Sequence, residues 1–280
     1  MSYRPTLIST VPPRTTKPSA RRPARRARAP AFRIGSVPYL NAAPVTRWLE
    51  GEVRLATPAQ LAELLRRGEL DAALVSVTEV LQTGRYDLLD GVALASRGPV
   101  RSVLLAHRVP LAEIKTVHLD PASLTSVHLL HVLLRERGWR PRMRVLADYA
   151  AVPELEAVLL IGDRALEFAA RPPAHAIWDL GQAWWELTGL SFVYAGWALR
   201  RGIDRHALCE RLRRACAQGQ AELEGIIAER PEHDAAFRRV YLRECMHFAL
   251  GAAEKQGLAR FGELLEKHGR GPVYPPRYVS

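Results

Sequence analysis

Phe32-Arg33-Ile34-Gly35-Ser36-Val37-Pro38-Tyr39-Leu40-Asn41-Ala42-Ala43-Pro44 is the stretch of sequence that decides the fold. Ile34 and Val37 form the apolar run of a first strand, and Pro44 stands where the first turn of a helix accepts proline, because that position has no N–H to lose. Three polar side chains accompany the end of the run: Ser36, Tyr39 and Asn41. Open α/β sheets bind ligands at the carboxyl ends of their strands, so the stretch predicts a strand that opens into a ligand site. A strand followed by an ordinary polar loop is the alternative.

Outward from this stretch, short apolar runs alternate with helical segments as far as Trp197, which is typical of βα units and a largely parallel sheet. The runs predicted as strands cover 53–56, 71–77, 92–95, 102–106, 117–120, 155–162 and 192–197. Beyond Trp197 the apolar residues recur every three to four positions, which predicts helices alone. The runs at 102–106 and 192–197 are the candidate crossings between two lobes.

The order of these elements predicts an α/β fold of two lobes with a ligand cleft between them. A chain of 280 residues is long enough for one such bilobed unit or for two domains. We expect residues 31–106 and 197–280 to form the first lobe and residues 107–196 to form the second. Residues 1–30 are expected to be a disordered basic tail.

The net charge of +11 does not indicate a nucleic-acid-binding protein, because much of it lies in the tail. Residues 1–30 contain eight of the 40 Lys and Arg residues and no acidic residue, which leaves 32 basic against 29 acidic residues elsewhere. A nearly neutral body does not favour a surface that follows phosphates. The Arg-rich and Pro-rich tail is compatible with a transit peptide, a disordered extension or a start codon placed too early.

Neither a metal, a redox cofactor nor a membrane is predicted. His128 and His131 lie three residues apart on a predicted helix, but no Glu or Cys accompanies them at ligand spacing. Nucleotide-binding and dinucleotide-binding fingerprints are missing, and no apolar run approaches the ~20 residues of a spanning helix. The three cysteines form neither an even set nor a Cys-x-x-Cys pair, which favours packing roles in a reducing compartment, the cytoplasm.

Small polar side chains recur where the predicted strands end and the next helices begin. They are Ser36, Asn41, Ser76, Ser102, Ser123, Thr125 and Ser126. Each has a structural interpretation, since Ser and Thr cap helices and Asn satisfies turns. Taken together on one side of a cleft, they suit a small dianion better than a nucleotide or a polymer. The last three cluster at a helix N-terminus, where free N–H groups and the positive end of the helix dipole attract anions.

Several segments, in this order, resemble the motifs of the chorismate dehydratase family of menaquinone biosynthesis. They are Gly35-Ser36-Val37-Pro38-Tyr39-Leu40-Asn41-Ala42-Ala43-Pro44, Asp71-Ala72-Ala73-Leu74-Val75-Ser76, Gly98-Pro99-Val100-Arg101-Ser102-Val103, Asp120-Pro121-Ala122-Ser123-Leu124-Thr125-Ser126, Ile161-Gly162-Asp163-Arg164-Ala165-Leu166, and Trp178-Asp179-Leu180-Gly181 with Trp184 and Thr188-Gly189. The resemblance covers residues 32–197 well and the C-terminal helices only in general character. It implies the bilobal fold of type 2 periplasmic-binding proteins.

The resemblance also implies a cofactor-independent hydro-lyase that converts the dianion chorismate to 3-[(1-carboxyvinyl)oxy]benzoate. By resemblance, Asn41 and Ser102 are the catalytic residues, which hold the substrate and help its hydroxyl leave. The remaining expected contacts with the substrate are Ser36, Tyr39, Leu40, Ser76, Ser123, Thr125, Ser126, Gly162 and Asp163. No His or Lys matches a motif position as the general base. A carboxylate of the substrate acting as the base would explain a site that is poor in titratable groups.

Two other functions stay open at this point. One is a non-catalytic protein of the same fold that binds a small anion. The other is the sister enzyme of the pathway, dihydroxynaphthoate synthase, which shares the fold. By resemblance, that enzyme has a Cys-Pro-Asn-Asp-type sequence after its first strand, whereas this chain has Val37-Pro38-Tyr39-Leu40-Asn41 there. The sequence leaves the oligomeric state and the extent of lobe closure open.

Overall fold

A computed structural model describes residues 32–49, 53–171 and 174–280 of the protein, so the predicted tail at 1–30 lies outside the described residues. The strands are β1 (Ile34–Ser36), β2 (Val53–Leu55), β3 (Ala72–Ser76), β4 (Tyr86–Ser96), β5 (Val103–His107), β6 (Thr116–Leu119), β7 (Arg142–Val145), β8 (Ala157–Ile161), β9 (Ala176–Asp179), β10 (Phe192–Arg200) and β11 (Arg277–Val279).

The helices alternate with these strands as far as β10 and then follow one another. They are α1 (Ala43–Thr46), α2 (Pro58–Arg66), α3 (Val77–Thr83), α4 (Thr125–Glu136), α5 (Gly162–Ala170), α6 (Leu180–Thr188), α7 (Arg205–Ala221), α8 (Leu223–Glu229), α9 (Ala235–Val240) and α10 (Ala252–Lys267). Short 3-10 turns occur at Leu40–Ala42, Leu111–Glu113 and Tyr149–Glu154, and a π-helical turn spans Tyr241–Cys245.

The strands form two sheets, one in each lobe, as the two-lobed prediction requires. The larger sheet has six strands in the order β11-β4-β10-β3-β1-β2, and the smaller has five in the order β7-β6-β8-β5-β9. β1 pairs in parallel with β2 and β3, whereas β10 runs antiparallel between β3 and β4. In the smaller sheet β6 is parallel to β7 and β8, and β5 is antiparallel to β8 and β9.

The two crossings between the sheets lie beside the predicted crossing strands rather than within them. β5 pairs with β8 and β9, so residues 103–106, placed in the first lobe by the sequence, belong to the smaller sheet. β10 pairs with β3 and β4, so residues 192–196, placed in the second lobe, belong to the larger sheet. The first crossing comes earlier because the chain already turns at the Gly98-Pro99 break, where Gly98 has a φ of 92°.

Burial explains why the central strands form as they do. All five residues of β3 are buried, as expected of a strand covered on both faces by helices. Helix α2 begins with a capping box in which Thr57 and Gln60 bond each other's backbone N–H groups. It ends before Gly68, whose φ of 70° suits the residue that follows a helix.

The C-terminal part of the chain differs from the prediction in one respect. Helices follow β10 as predicted, but Arg277–Val279 then pairs in parallel with β4 as an edge strand of the larger sheet. Three residues are too few to show the alternation that would indicate a strand in the sequence. All three cysteines, Cys209, Cys216 and Cys245, are buried and free.

Candidate active site

A cavity of about 70 Å³ lies between the two sheets. Its walls come from the carboxyl ends of β1, β3 and β8, the crossing before β5, the N-terminus of α4 and the middle of β10. Parallel strands bring their carboxyl ends to one edge of a sheet, and the loops that follow them meet there. The cavity therefore stands where the first strand was predicted to open into a site.

The structure brings most of the predicted site residues together around this cavity. Those that line it are Tyr39, Asn41, Ser76, Ser102, Ser123, Thr125, Ser126 and Gly162. The catalytic and binding roles assigned to them stay predictions. The two-lobed fold thus brings together residues from segments that are far apart in the sequence.

Three other predicted site residues lie beside the cavity and have partners within the protein. The Ser36 hydroxyl is buried and lies 2.8 Å from the Thr46 hydroxyl. The Leu40 side chain is buried, and its backbone N–H donates to the Asp163 carboxylate at 3.2 Å. Asp163 lines a neighbouring groove instead of the cavity, and burial raises the pKa of its carboxyl. A contact between a ligand and any of the three stays a prediction.

Three hydroxyl groups at the edge of the cavity bond one another, and we call Ser76, Thr78 and Thr125 the hydroxyl cluster; Ser76 and Thr125 line the cavity. Thr125 Oγ1 bonds the Ser76 hydroxyl and accepts from the Thr78 hydroxyl at 3.0 Å and from the Thr78 backbone N–H at 3.3 Å. The Thr125 backbone N–H donates to Ser76 Oγ at 2.8 Å. Ser76 and Thr78 lie in β3 and α3, in the lobe of the larger sheet, and Thr125 begins α4, in the lobe of the smaller sheet. The cluster therefore joins the two lobes.

Two other polar atoms in the same wall are buried without a partner. Among the residues that the structure describes, neither Asn41 Oδ1 nor Ser123 Oγ has a hydrogen-bond partner. Leaving such a group unpaired inside a protein costs about 1–3 kcal/mol. Both residues line the cavity, one from each lobe, so a ligand with polar groups would satisfy both atoms.

Ser102 is held from two sides at the crossing before β5. Its backbone carbonyl accepts from the Gly162 N–H at 2.8 Å, and its hydroxyl accepts from the phenol of Tyr241 at 2.8 Å. Tyr241 lies 139 positions further along the chain, in the part that showed the family resemblance only in general character. No pattern in the sequence singles it out, so sequence reasoning missed it.

Asp179 fixes the crossing itself. It belongs to the Trp178-Asp179-Leu180-Gly181 motif, and the sequence predicted no role for it. Its carboxylate accepts from the backbone N–H groups of Val100 at 3.1 Å and Arg101 at 2.7 Å, and it also caps α6. Arg101 has a φ of 61°, a strained conformation for a residue other than glycine. These bonds hold the turn that places Ser102 in the cavity wall.

Gly162 is required by its geometry. Its φ of 60° favours glycine, and a Cβ at this position would stand 3.2 Å from the ring of Tyr39. The ring of Tyr39 therefore packs directly on the start of α5, and burial raises the pKa of its phenol to about 12. This contact closes one side of the cavity.

The cavity itself is uncharged. Among the described residues that line it, none is Asp, Glu, Lys, Arg or His. Charged groups begin in a neighbouring groove of about 600 Å³, which shares Tyr39 and Ile161 with the cavity. There Asp120 accepts from the Tyr149 phenol at 2.6 Å, and the Arg164 guanidinium lies 3.5 Å from the centre of the Tyr149 ring.

The histidines predicted not to hold a metal lie away from the cavity. Within the described ranges no group of three or more His, Cys, Asp or Glu side chains is arranged to hold a metal ion. His131 Nδ1 lies 3.2 Å from the Arg270 guanidinium. Burial and the Arg270 charge lower the pKa of both His128 and His131 to about 4. None of the helices that the structure describes has the length and apolar character needed to cross a bilayer.

Two α/β lobes with a cavity between them define the periplasmic-binding-protein-like fold. Solved structures agree on this fold: a protein from Archaeoglobus fulgidus aligns with a TM-score of 0.70 at 16% identity, covering 85% of this chain and 97% of that one. The alkanesulfonate-binding protein SsuA from Xanthomonas axonopodis pv. citri, bound to MOPS, aligns with a TM-score of 0.66 at 17% identity, covering 90% and 99%.

Sequence comparison gives the family. The profile of the menaquinone biosynthesis family matches residues 32–267. The chain is 34% identical over 256 residues to the chorismate dehydratase of Thermus thermophilus, and the alignment covers 83% of this chain and 94% of that protein. The chain therefore belongs to the menaquinone biosynthesis family, and the resemblance found in its motifs is confirmed.

Proposed function

We propose that this protein is a chorismate dehydratase, a hydro-lyase that removes water from chorismate to give 3-[(1-carboxyvinyl)oxy]benzoate. The observation that carries the proposal is a pair of buried atoms, Asn41 Oδ1 and Ser123 Oγ, which have no partner among the described residues and lie in one uncharged cavity beside the Ser102 hydroxyl. The relative of 34% identity that is named chorismate dehydratase supports the same reaction.

The reaction suits a cavity that offers hydrogen bonds and no charged side chain. A ring C–H bond and the C–O bond to the ring hydroxyl break, and the ring becomes aromatic as water leaves. The departing proton is vinylogous to the ring carboxylate, so its removal spreads negative charge onto that carboxylate. Preorganised donors at the carboxylate stabilise this charge as it develops.

The donors for a carboxylate lie at the N-terminus of α4. Ser123 and Ser126 line the cavity there, and the first N–H groups of a helix of twelve residues add to them. The Thr125 hydroxyl is already engaged in the hydroxyl cluster, so its role is to hold this turn against β3. In this arrangement the ring carboxylate is bound by Ser123, Ser126 and backbone N–H groups.

Asn41 and Ser102 face the part of the substrate that reacts. The Asn41 amide can accept a hydrogen bond through Oδ1 and donate through its NH₂ group, so it can bind the leaving hydroxyl. The Ser102 hydroxyl donates to the same oxygen as the C–O bond breaks. The described lining residues include no side chain able to act as a base, so a carboxylate of the substrate accepts the ring proton and passes it to the departing hydroxyl.

The test is to incubate purified protein with chorismate alone, without added metal or cofactor, and to follow the benzoate product by chromatography. We expect stoichiometric conversion with multiple turnovers. If chorismate raises the melting temperature but is recovered unchanged, the protein is a binding protein of this fold. If it does neither, chorismate is not its ligand. The three buried, free cysteines support a reducing compartment as its location, and we propose the cytoplasm.

A further inference from the structure

The Ser102 hydroxyl lies at a position where its hydrogen could point in more than one direction. Only about 1% of the residue is exposed, and its oxygen accepts a hydrogen bond from the Tyr241 phenol at 2.8 Å. A serine hydroxyl has one hydrogen to donate and two lone pairs that accept. Once Tyr241 occupies a lone pair, the hydroxyl hydrogen must be directed away from the phenol.

Tyr241 itself is buried and packed against a second aromatic ring. It is about 1% exposed, and its ring stacks on Phe237 with the ring centres 6.1 Å apart and the planes 17° from parallel. It begins the π-helical turn Tyr241–Cys245, a local widening of the helix that occurs often at functional sites. The turn re-aims the chain after α9 and delivers the phenol to the crossing before β5.

The phenol of Tyr241 is neutral. Burial raises the pKa of Tyr241 above its ordinary value. Ser102, one of the two residues proposed to act on the leaving hydroxyl, is therefore bonded to a neutral phenol that comes from an element more than 130 positions away. A phenol that stays protonated at every physiological pH is a permanent donor.

We propose that Tyr241 is a positioning residue: its phenol donates to Ser102 Oγ and so directs the Ser102 hydroxyl hydrogen into the cavity, toward the leaving oxygen of the substrate. This assignment rests on the proposed function. Tyr241 does not touch the substrate, and its effect passes through Ser102. Without the phenol, Ser102 can turn its hydrogen away from the substrate, and its oxygen loses its partner.

The experiment is a double-mutant cycle of Tyr241→Phe, Ser102→Ala and the combined variant, with kcat and KM for chorismate measured for each. Tyr241→Phe keeps the ring stacked on Phe237 and removes only the hydroxyl group. We expect kcat to fall about 10- to 100-fold with KM changed less than threefold. In the Ser102→Ala background the same change should leave kcat unaltered, because the group through which Tyr241 acts is gone.

The matched control is Tyr86→Phe. Tyr86 is also a buried tyrosine whose phenol donates to a side chain, the Glu79 carboxylate at 3.2 Å, but it does not line the cavity. Tyr86→Phe should keep kcat within twofold of the unmodified protein. A Tyr241→Phe protein that does not fold, or that keeps its kcat, or that loses the same factor with and without Ser102, would each overturn the assignment.

A second readout separates this inference from the proposed reaction. If the unmodified protein does not turn over chorismate, the proposed function fails and the kinetic cycle cannot be run. Neutron structures of the unmodified and Tyr241→Phe proteins, which show where hydroxyl deuterium atoms lie, still decide the positioning role. We expect the Ser102 hydroxyl deuterium to point into the cavity in the unmodified protein and away from it in the Tyr241→Phe protein. The same direction in both proteins would overturn the inference.

Discussion

Ser76 and Thr125 of the hydroxyl cluster line the same cavity as Asn41 and Ser123, yet the hydrogen bonding of the cluster is opposite to that of the pair formed by Asn41 and Ser123. In the cluster, Thr125 Oγ1 bonds the Ser76 hydroxyl and accepts from the Thr78 hydroxyl, so every hydroxyl has a partner within the protein. The atoms Asn41 Oδ1 and Ser123 Oγ are also buried, although their residues are only half-buried, and they have no partner among the described residues. The comparison indicates that the hydroxyl cluster holds the two lobes together, whereas Asn41 Oδ1 and Ser123 Oγ are available to bind a ligand.

The contrast yields distinct expectations for substitution. Removing a satisfied buried group leaves its former partners unpaired, so stability falls. Removing an unsatisfied group relieves a cost that the folded protein already carries, so stability holds or rises while ligand binding or catalysis suffers. Substitution of a satisfied group should therefore lower stability more than turnover, whereas substitution of an unsatisfied group should lower turnover more than stability.

Asn41→Ala should produce the largest effect. We expect kcat to fall about a hundredfold or more, the scale for losing one preorganised hydrogen-bonding group. The free energy of unfolding should stay the same or increase, since the lost oxygen had no partner. Steady-state kinetics and a urea midpoint on one preparation measure both. A variant with native kcat and reduced stability would place Asn41 with the structural groups.

Thr125→Val should mainly affect stability. The substitution keeps the shape of the side chain but leaves the Ser76 and Thr78 hydroxyls short of a partner, which costs about 1–3 kcal/mol of unfolding free energy. We expect kcat to change less than tenfold. The control is Thr83→Val, which removes a hydroxyl bonded only to the Glu79 carbonyl in its own helix and should cost under about 0.5 kcal/mol. Equal losses in the two variants would show that the cluster has no special role.

Ser123→Ala tests the unsatisfied group on the smaller lobe. Because Ser123 is expected to bind a substrate carboxylate, KM should rise about tenfold, with the urea midpoint unchanged. Isothermal titration with the benzoate product checks the same loss without catalysis. If the midpoint falls while KM is native, Ser123 has a partner in solution that its buried oxygen lacks here.

A pH series compares the uncharged cavity with the histidines on the far side of α4. His131 has a pKa of about 4 when folded, against an ordinary 6.5, so the unfolded chain binds the extra proton first. Stability is therefore complete above pH 6.5 and is lost as the pH falls from 6.5 toward 4. After allowance for solvent screening, we expect the lowered pKa of His131 to reduce the free energy of unfolding by about 1 kcal/mol at pH 5.

The matched variant for the pH series is His131→Gln, which should remove that part of the decline in the urea midpoint. kcat/KM should stay level between pH 6.5 and 8.5 in both proteins, because no described residue lining the cavity titrates there. A midpoint in His131→Gln that declines as steeply as in the unmodified protein would assign the pH dependence to other groups.

The sequence predicts the two-lobed fold, and most of its predicted site residues line the cavity, because both depend on local signals. Apolar runs locate β1, β3 and β8, and polar residues at their ends mark the side on which a ligand binds. The sequence cannot separate Thr125 from Ser123, which are two positions apart in one motif. Their difference depends on Ser76, whose hydroxyl meets Thr125 from 49 positions earlier in the chain.

Tyr241 shows the same limit more sharply. It lies among helical residues whose spacing predicts only an apolar face, and its phenol meets Ser102 because a π-helical turn redirects the chain. Local patterns carry no information on which distant hydroxyl it reaches. The crossings were misplaced for a related reason, since strands β5 and β10 are equally apolar whichever sheet they join.

A crystal structure of the protein with 3-[(1-carboxyvinyl)oxy]benzoate bound tests the central claim most directly. We predict a carboxylate oxygen of the ligand within about 3.2 Å of Ser123 Oγ and a water, in place of the departed hydroxyl, within the same distance of Asn41 Oδ1, with the bonds of the hydroxyl cluster unchanged. A ligand seated in the neighbouring groove beside Asp120 and Arg164, with Asn41 Oδ1 and Ser123 Oγ still unpartnered, would contradict the account.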